Sequence, residues 1–240
     1  MIIIDKIKLV ARAGKYKNRQ DVVEIQYILD QVESGQTVFD IGAHKGGYLY
    51  HFVNKVGRSG KVYAFEPQTV LYNYLVRMKA AFKWDNVIID HKALSDINGA
   101  ASLYIPANHG RPSSPGASIV SSENFGDYKT EEITTETLDS YCLKNDIKPD
   151  FLKIDVEGNE LKVFKGGMAV LSKYRPKILF ECEERHIGKE KVLETFQFLE
   201  SLGYKGKFIK GAEIVPLDTF DFILHQTAGR EPYCNNFIFE

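Results

Sequence analysis

Apolar residues along this chain follow two rhythms. In the first 36 residues the spacing is helical: from Asp21 onward Val22, Ile25, Ile28, Leu29 and Val32 recur at three- and four-residue steps, and Gly35 closes the run. The leader is expected to form two helices packed on the main body. From Thr37 the rhythm changes. Short β-branched and aromatic runs over 38–41, 61–65, 87–91, 151–155 and 177–181 alternate with amphipathic stretches. Those stretches predict helices over 47–56, to about Phe82, from 157–158 to 166–167, and over 190–202 with Gly203 as its cap. Strands alternating with helices imply βαβ units and a parallel sheet covered on both faces.

Between Asp96 and Thr137 the alternation breaks. Short strands are expected over 102–105, 118–120 and 132–137, around a loop over 108–116 rich in Gly, Pro, Ser and Asn. This is a small β insertion between the third and fourth strands of the sheet, too small to hold a core of its own. The last stretch, with apolar runs over 204–209, 214–215 and 236–239, supplies one or two closing strands, at least one of them antiparallel. The expected organisation is a helical N-terminal extension over 1–36 and one α/β domain over 37–240.

Composition narrows the function classes. A chain of 240 residues can bury a full domain core, and 44% hydrophobic with 26% charged residues is ordinary for a globular protein. A net charge of -1 gives no reason to expect nucleic acid or an anionic membrane as the main partner. The cluster Lys15, Lys17 and Arg19 reads as a solvated segment. Cys142, Cys182 and Cys234 are odd in number and far apart, which argues against a disulfide framework or zinc cluster and suits a reducing compartment. Ile2, Ile3 and Ile4 are apolar, but Asp5 and Lys6 interrupt them well short of a membrane span. A cytoplasmic location without stable membrane insertion follows as the expectation; the oligomeric state is open.

The chemistry begins where the first strand ends. Asp40 is followed at once by Gly42, Gly46 and Gly47, a loop through which a ligand can approach backbone N–H groups. A dinucleotide site expects G-x-G-x-x-G, whereas the spacing here is G-x-x-x-G-G. An acid beside a pyrophosphate is also unfavourable, and suits a cation such as the sulfonium and ammonium of S-adenosylmethionine. Glu66 ends the second strand, where a carboxylate can accept from both hydroxyls of a ribose. Both acids have a plainer reading as helix N-cap or loop residues.

Two motifs, Val38-Phe39-Asp40-Ile41-Gly42-Ala43-His44-Lys45-Gly46 and Ala64-Phe65-Glu66-Pro67, resemble the first two motifs of S-adenosylmethionine-dependent methyltransferases. Thr137-Leu138-Asp139-Ser140-Tyr141, Asp150-Phe151-Leu152-Lys153-Ile154-Asp155-Val156-Glu157-Gly158, Phe164-Lys165-Gly166-Gly167 and Pro176-Lys177-Ile178-Leu179-Phe180-Glu181 are similar to the FkbM family of O-methyltransferases. The resemblance covers residues 37–183. It implies a Rossmann-like sheet of seven strands, mostly parallel with the last antiparallel, and S-adenosylmethionine as cofactor. It also implies a cofactor site drawn from Asp40, Gly42, Ala43, His44, Gly46, Glu66 and Pro67, with Asp155 at its edge. Ala93 and Leu94, with Ser95 and Asp96, would face the adenine; ordinary strand-end packing is their alternative. Family members usually carry Asn where His44 stands.

Methyl transfer needs an acceptor aligned with the methyl and relieved of its proton. Asp155 and Glu157 follow the fourth strand; Glu181 and Glu183 end the fifth, with His186 nearby. In one arrangement Asp155 or His186 takes the hydroxyl proton while Glu157 and Glu181 orient the acceptor. In another, Asp155 and Glu181 hold a divalent cation such as magnesium; no clear third carboxylate stands at ligand spacing, so the first is preferred. Glu157 could instead sit in the first turn of a helix with Lys153 as its ion-pair partner, and His186 could be a surface histidine. The resemblance points to a sugar, glycan or other hydroxylated small molecule as acceptor. The leader and the 108–116 loop are placed to shape its pocket, which Tyr48 and Tyr50 could line. An NAD-dependent oxidoreductase and a non-catalytic cofactor-binding protein of the same fold are the alternatives.

Overall fold

The computed structural model describes residues 2–106, 113, 116–119 and 127–240. The expected loop over 108–116 therefore lies outside the described residues except at Ser113 and Gly116, and the strand expected over 118–120 is described only at Ser118 and Ile119.

Eight strands form the main sheet: β1 (Thr37–Ile41), β2 (Lys61–Phe65), β3 (Val87–Asp90), β7 (Phe151–Ile154), β8 (Lys177–Glu181), β9 (Gly206–Lys210), β10 (Glu213–Pro216) and β11 (Asn236–Phe239). Their order is β10-β9-β11-β8-β7-β1-β2-β3. The five from β8 to β3 are parallel to their neighbours, and β11 enters antiparallel between β8 and β9. The seven strands expected are present with one addition, β10. It folds back on β9 through Gly211, whose φ of +61° suits a tight hairpin turn.

The period-2 alternation of the strands divides the interior. Phe39, Ile41, Phe65, Ile154 and Phe180 face one core with Phe164, Val192 and Phe196. Val38, Val62, Ala64, Phe151 and Leu179 face the other. The second core is closed by α1 (Ile2–Lys15), a π-helical turn Tyr16–Gln20, α2 (Val22–Gln31), α3 (Gly47–Val56) and α4 (Thr69–Phe82). Leu9, Ile25, Ile28 and Val32 are fully buried there. Each such side chain contributes roughly 1.5–3 kcal/mol, enough to seat the leader as part of this layer. Helix α2 ends at Gln31 rather than at Gly35, which serves the turn into β1.

On the other face run α5 (Leu138–Asn145), α6 (Glu160–Lys165), α7 (Met168–Tyr174), α8 (Glu184–Ile187), α9 (Lys189–Ser201) and α10 (Phe222–His225). Helix α5 has no counterpart in the hydrophobic pattern, yet Thr137 caps it, its side chain accepting from the Ser140 N–H at 3.1 Å. The helix expected from 157–158 to Gly166–Gly167 is α6, and α7, which was not expected, follows directly after the two glycines. A Cβ on Gly166 would stand 2.1 Å from the Ser95 carbonyl oxygen, so the chain there packs directly on backbone. The insertion is a three-stranded sheet, β4 (Ala93–Leu94), β6 (Tyr128–Glu136) and β5 (Gly99–Pro106) in that order, with β4 parallel to β6. Among the described residues no helix is long and apolar enough to cross a membrane.

Candidate active site

A cavity of about 410 Å³ opens at the carboxyl ends of β1, β2, β7 and β8, where ligands of open α/β sheets bind. Its floor is the stretch from Asp40 to His44 with Glu66, Pro67 and Asp155. Tyr16, Gln20 and Asp21 of the leader wall one side, and Ala93, Leu94, Leu103, Ala117 and Ile119 of the insertion wall another.

The floor is built around Gly42. Its φ is +88°, and a Cβ there would stand 1.9 Å from the Asp155 carbonyl oxygen, so only glycine lets β1 and β7 leave the sheet side by side. The Gly42 and Ala43 N–H groups both donate to the Phe65 carbonyl at 3.0 Å. His44 has a φ of +46°, a region in which Asn, Asp and His are the enriched non-glycine residues. That explains why histidine fits where the resembled family carries Asn. Its N–H donates to Glu66 Oε2 at 2.7 Å, while the Gln68 N–H donates to Oε1 at 2.9 Å. Glu66 is thereby oriented, with acceptor capacity left on each oxygen. Burial pushes its carboxyl up to about 7 and pushes the His44 imidazole down to about 4, so His44 is neutral.

Asp40 is 1% exposed, and neither carboxylate oxygen has a hydrogen-bond partner among the described residues. Burial pushes it up to about 6; Lys153 opposes that and Asp155 adds to it. The Leu49 N–H also favours the ionised form, but from outside hydrogen-bond geometry. A carboxyl kept in this state is the strongest local demand for a ligand: a cationic N–H donor would satisfy it. The ammonium of S-adenosylmethionine has that chemistry, and Glu66 has the acceptors a ribose diol needs.

At the far side of the floor Lys153 is 3% exposed, its Nζ 2.8 Å from Asp155 Oδ2 and 4.8 Å from the centre of the Tyr48 ring. Burial alone would lower its basicity, but Asp155 and Asp40 outweigh that and hold it charged. Lys153 is thus the partner of Asp155 and not of Glu157. Nor does Glu157 sit in a helical turn: its φ is +53° and α6 starts three residues later. Its Oε2 is 3.3 Å from His186 Nδ1, and burial, then the charges of Asp155 and Glu160, push it up to about 8. His186 stands behind Glu157 and does not line the cavity.

Glu181 lines the cavity and shares a network with Glu183. Asn235 donates to both, at 2.9 and 3.2 Å, while Tyr233 and Arg185 donate to Glu183 at 2.6 and 2.7 Å. Burial, the Asp155 charge and the hydrogen bond to Glu183 push Glu181 up to about 10. Burial would raise Glu183 too, but the hydrogen bonds it receives bring it below the usual carboxylate range. At neutral pH Glu181 therefore carries the proton of the pair and donates it to Glu183.

Of the residues singled out from sequence, Asp40, Gly42, Ala43, His44, Glu66, Pro67, Ala93, Leu94, Asp155, Glu157 and Glu181 meet at this cavity. Gly46 does not line it; it caps α3 from behind, against Leu9 and Leu75. Tyr48 lines it, its hydroxyl directed to Asp21, whereas Tyr50 packs against Phe82 and Trp84. Tyr16, Gln20, Asp21, Lys92, Asn159 and Asn236 also line it without having been singled out. Among the described residues no group of three or more His, Cys, Asp or Glu is arranged to hold a metal ion.

The model of the Methyltransferase FkbM domain matches residues 40–205. Among solved structures, a methyltransferase FkbM from Methylobacillus flagellatus KT superposes with a TM-score of 0.54 at 15% identity, over 98% of this chain and 55% of that one. A putative rRNA-methylase from Clostridium thermocellum superposes with a TM-score of 0.54 at 14% identity, over 90% of this chain and 92% of that one. The chain thus spans about half the length of the Methylobacillus protein, and at these identities the likeness is one of fold. A comparison with curated proteins finds no match.

Proposed function

Since the chain belongs to the FkbM family of S-adenosylmethionine-dependent methyltransferases, we propose that it transfers the methyl to a hydroxyl of a sugar, glycan or other hydroxylated natural product. The family replaces the oxidoreductase reading. The observation that carries the proposal is the mixed state of three carboxyls at one cavity. Asp155 is fixed by the Lys153 ammonium, while Glu157 and Glu181 are pushed up to about 8 and about 10. That set offers one charged acceptor, Asp155, and one neutral donor, Glu157, beside a Glu181 whose proton is given to Glu183, which is how a hydroxyl among other hydroxyls can be held and relieved of its proton.

When bound, the donor supplies an electrophilic methyl on a sulfonium. Asp40 receives its ammonium and Glu66 its ribose hydroxyls, with Ala93 and Leu94 against the adenine. Asp155 accepts the hydrogen of the attacking hydroxyl through the oxygen that Lys153 leaves free. Glu157 donates to a neighbouring acceptor oxygen, Glu181, its proton held by Glu183, accepts from a neighbouring hydroxyl, and His186 steadies Glu157.

Calorimetry with S-adenosylhomocysteine should show binding that Glu66→Gln weakens about 10-fold or more. Methyl-labelled S-adenosylmethionine should then label sugars and polyols presented in a panel beside amines of similar size, with mass spectrometry to place the methyl on oxygen. Label found only on amines would overturn the hydroxyl assignment.

A further inference from the structure

The leader carries a feature that methyl transfer does not use. In α1 the side chains buried against the body are Leu9 and Ala13, whereas Ile3, Ile7 and Val10 face outward, 73%, 63% and 42% exposed. With Ile4 and Ala11, also exposed, they form an apolar sector about 120° wide at 100° per residue. Lys8 and Lys15 border one edge of it. A helix that only packs on a domain turns its widest apolar stripe inward; this one turns it outward.

Charge follows the same helix. Residues 2–20 hold six cations, Lys6, Lys8, Arg12, Lys15, Lys17 and Arg19, against Asp5 alone, a net +5 in a chain whose total is -1. Lys6 and Arg12 are engaged by the body, donating to the Ala81 and Lys45 carbonyls. Lys8, Lys15, Lys17 and Arg19 are exposed, and none is in an ion pair among the described residues.

We propose that α1 and its basic continuation are a docking face for an anionic bilayer surface. The apolar sector lies at the acyl boundary, and Lys8, Lys15, Lys17 and Arg19 meet the headgroup phosphates. A second copy of the chain would set two faces of net +5 against each other, which like-charge repulsion disfavours. Nucleic acid would answer the charge but leave the isoleucines in water. Helix α1 runs directly into Tyr16, Gln20 and Asp21, so docking brings one wall of the cavity to the membrane surface. The inference stands on the helix and does not depend on which acceptor is methylated.

The test is flotation of the 240-residue chain with vesicles of equal parts phosphatidylglycerol and phosphatidylcholine, beside vesicles of phosphatidylcholine alone. The chain should float with the mixed vesicles, less so as salt rises, and stay behind with the neutral ones. Lys8→Gln with Lys15→Gln should lower partition about thirtyfold, and Ile3→Glu with Ile7→Glu should abolish it. Both double variants should keep the wild-type circular dichroism and S-adenosylhomocysteine affinity, since these positions are exposed and outside the cavity. The proposal falls if the wild type does not float at low salt, or if the Glu variant floats equally well. It falls too if the wild type sediments as a dimer that the Glu variant dissociates, which would give the face to a second copy.

Discussion

Asp40→Asn should make the unliganded protein more stable and, at the same time, a poorer binder of S-adenosylmethionine and its product. Asp40 moves from 3.8 in the open chain to about 6 in the fold, because burial outweighs the help of Lys153. A shift of about two units corresponds to about 3 kcal/mol against the ionised form, at about 1.4 kcal/mol per unit. Asparagine removes the charge and keeps the shape, but leaves a buried amide without partners, at about 1–3 kcal/mol. Lys153 keeps Asp155 at 2.8 Å, so its own charge is not orphaned. The net gain is up to about 2 kcal/mol at pH 8, or up to about 8 °C in Tm for a domain of this size.

The sign depends on pH. A carboxyl raised in the fold binds its proton more tightly there than in the unfolded chain, so stability is lost as pH rises from 3.8 through about 6. The advantage of the variant should therefore grow between pH 4 and pH 7 and be level above that. Thermal unfolding at pH 5 and pH 8 without ligand reads the first effect. Calorimetry with S-adenosylhomocysteine reads the second, where a lost charge-assisted hydrogen bond costs roughly 10- to 150-fold in affinity. A variant less stable than wild type at pH 8 would mean that the carboxylate supports the empty fold. Unchanged affinity would remove Asp40 from the donor site.

Three further outcomes follow from the same geometry. Asp155→Asn should lower the transfer rate roughly 10²- to 10⁴-fold while changing S-adenosylhomocysteine affinity far less, and a rate equal to wild type would take Asp155 out of the proton transfer. Glu157, raised to about 8, loses its proton as pH rises, so kcat/KM should fall through about pH 8; Glu157→Gln, a permanent donor, should lack that descending limb, and its persistence would assign it elsewhere. A Cβ on Gly47 would meet the Tyr16 ring at 2.4 Å, so Gly47→Ala should cost roughly 1–3 kcal/mol in urea unfolding. Tyr16→Ala in the same chain should recover most of that, and strictly additive effects would show that the two do not touch.

What the hydrophobic pattern made legible was the frame. Strands β1, β2, β7 and β8 announce themselves as apolar runs that end in acids, and for that reason Asp40, Glu66, Asp155 and Glu181 could be named before any contact was known. Helix α5 was illegible by the same rule: its body Leu138–Asn145 has weak amphipathicity, and the Thr137 cap is a side-chain-to-backbone contact with no apolar period to mark it. The apolar runs over 204–209, 214–215 and 236–239 were expected to give one or two closing strands and give three, because Gly211 turns β10 back onto β9. The leader was expected to shape the pocket, but which of its residues reach the site was invisible for a different reason. Tyr16 reaches the cavity because Gly47, 31 residues on, leaves room for its ring, and no local pattern reports such a contact.

Lys153 shows where more could have been read. A central strand of a parallel sheet is buried on both faces and should be apolar throughout, yet Phe151, Leu152 and Ile154 enclose a lysine. A buried ammonium persists only when carboxylates near it outweigh desolvation, and β1 beside it carries Asp40 next to its end while its own strand runs on into Asp155. Parallel pairing of these two strands places all three together, since Asp40 is in register with Lys153. The register could thus have placed the lysine beside Asp40, with Asp155, two residues on, nearer to it along the chain than Glu157. The same reasoning separates the two acids: Lys153 bonds Asp155 directly and only offsets Asp40 at a distance, which leaves Asp155 anchored for the acceptor and Asp40 unsatisfied for the donor.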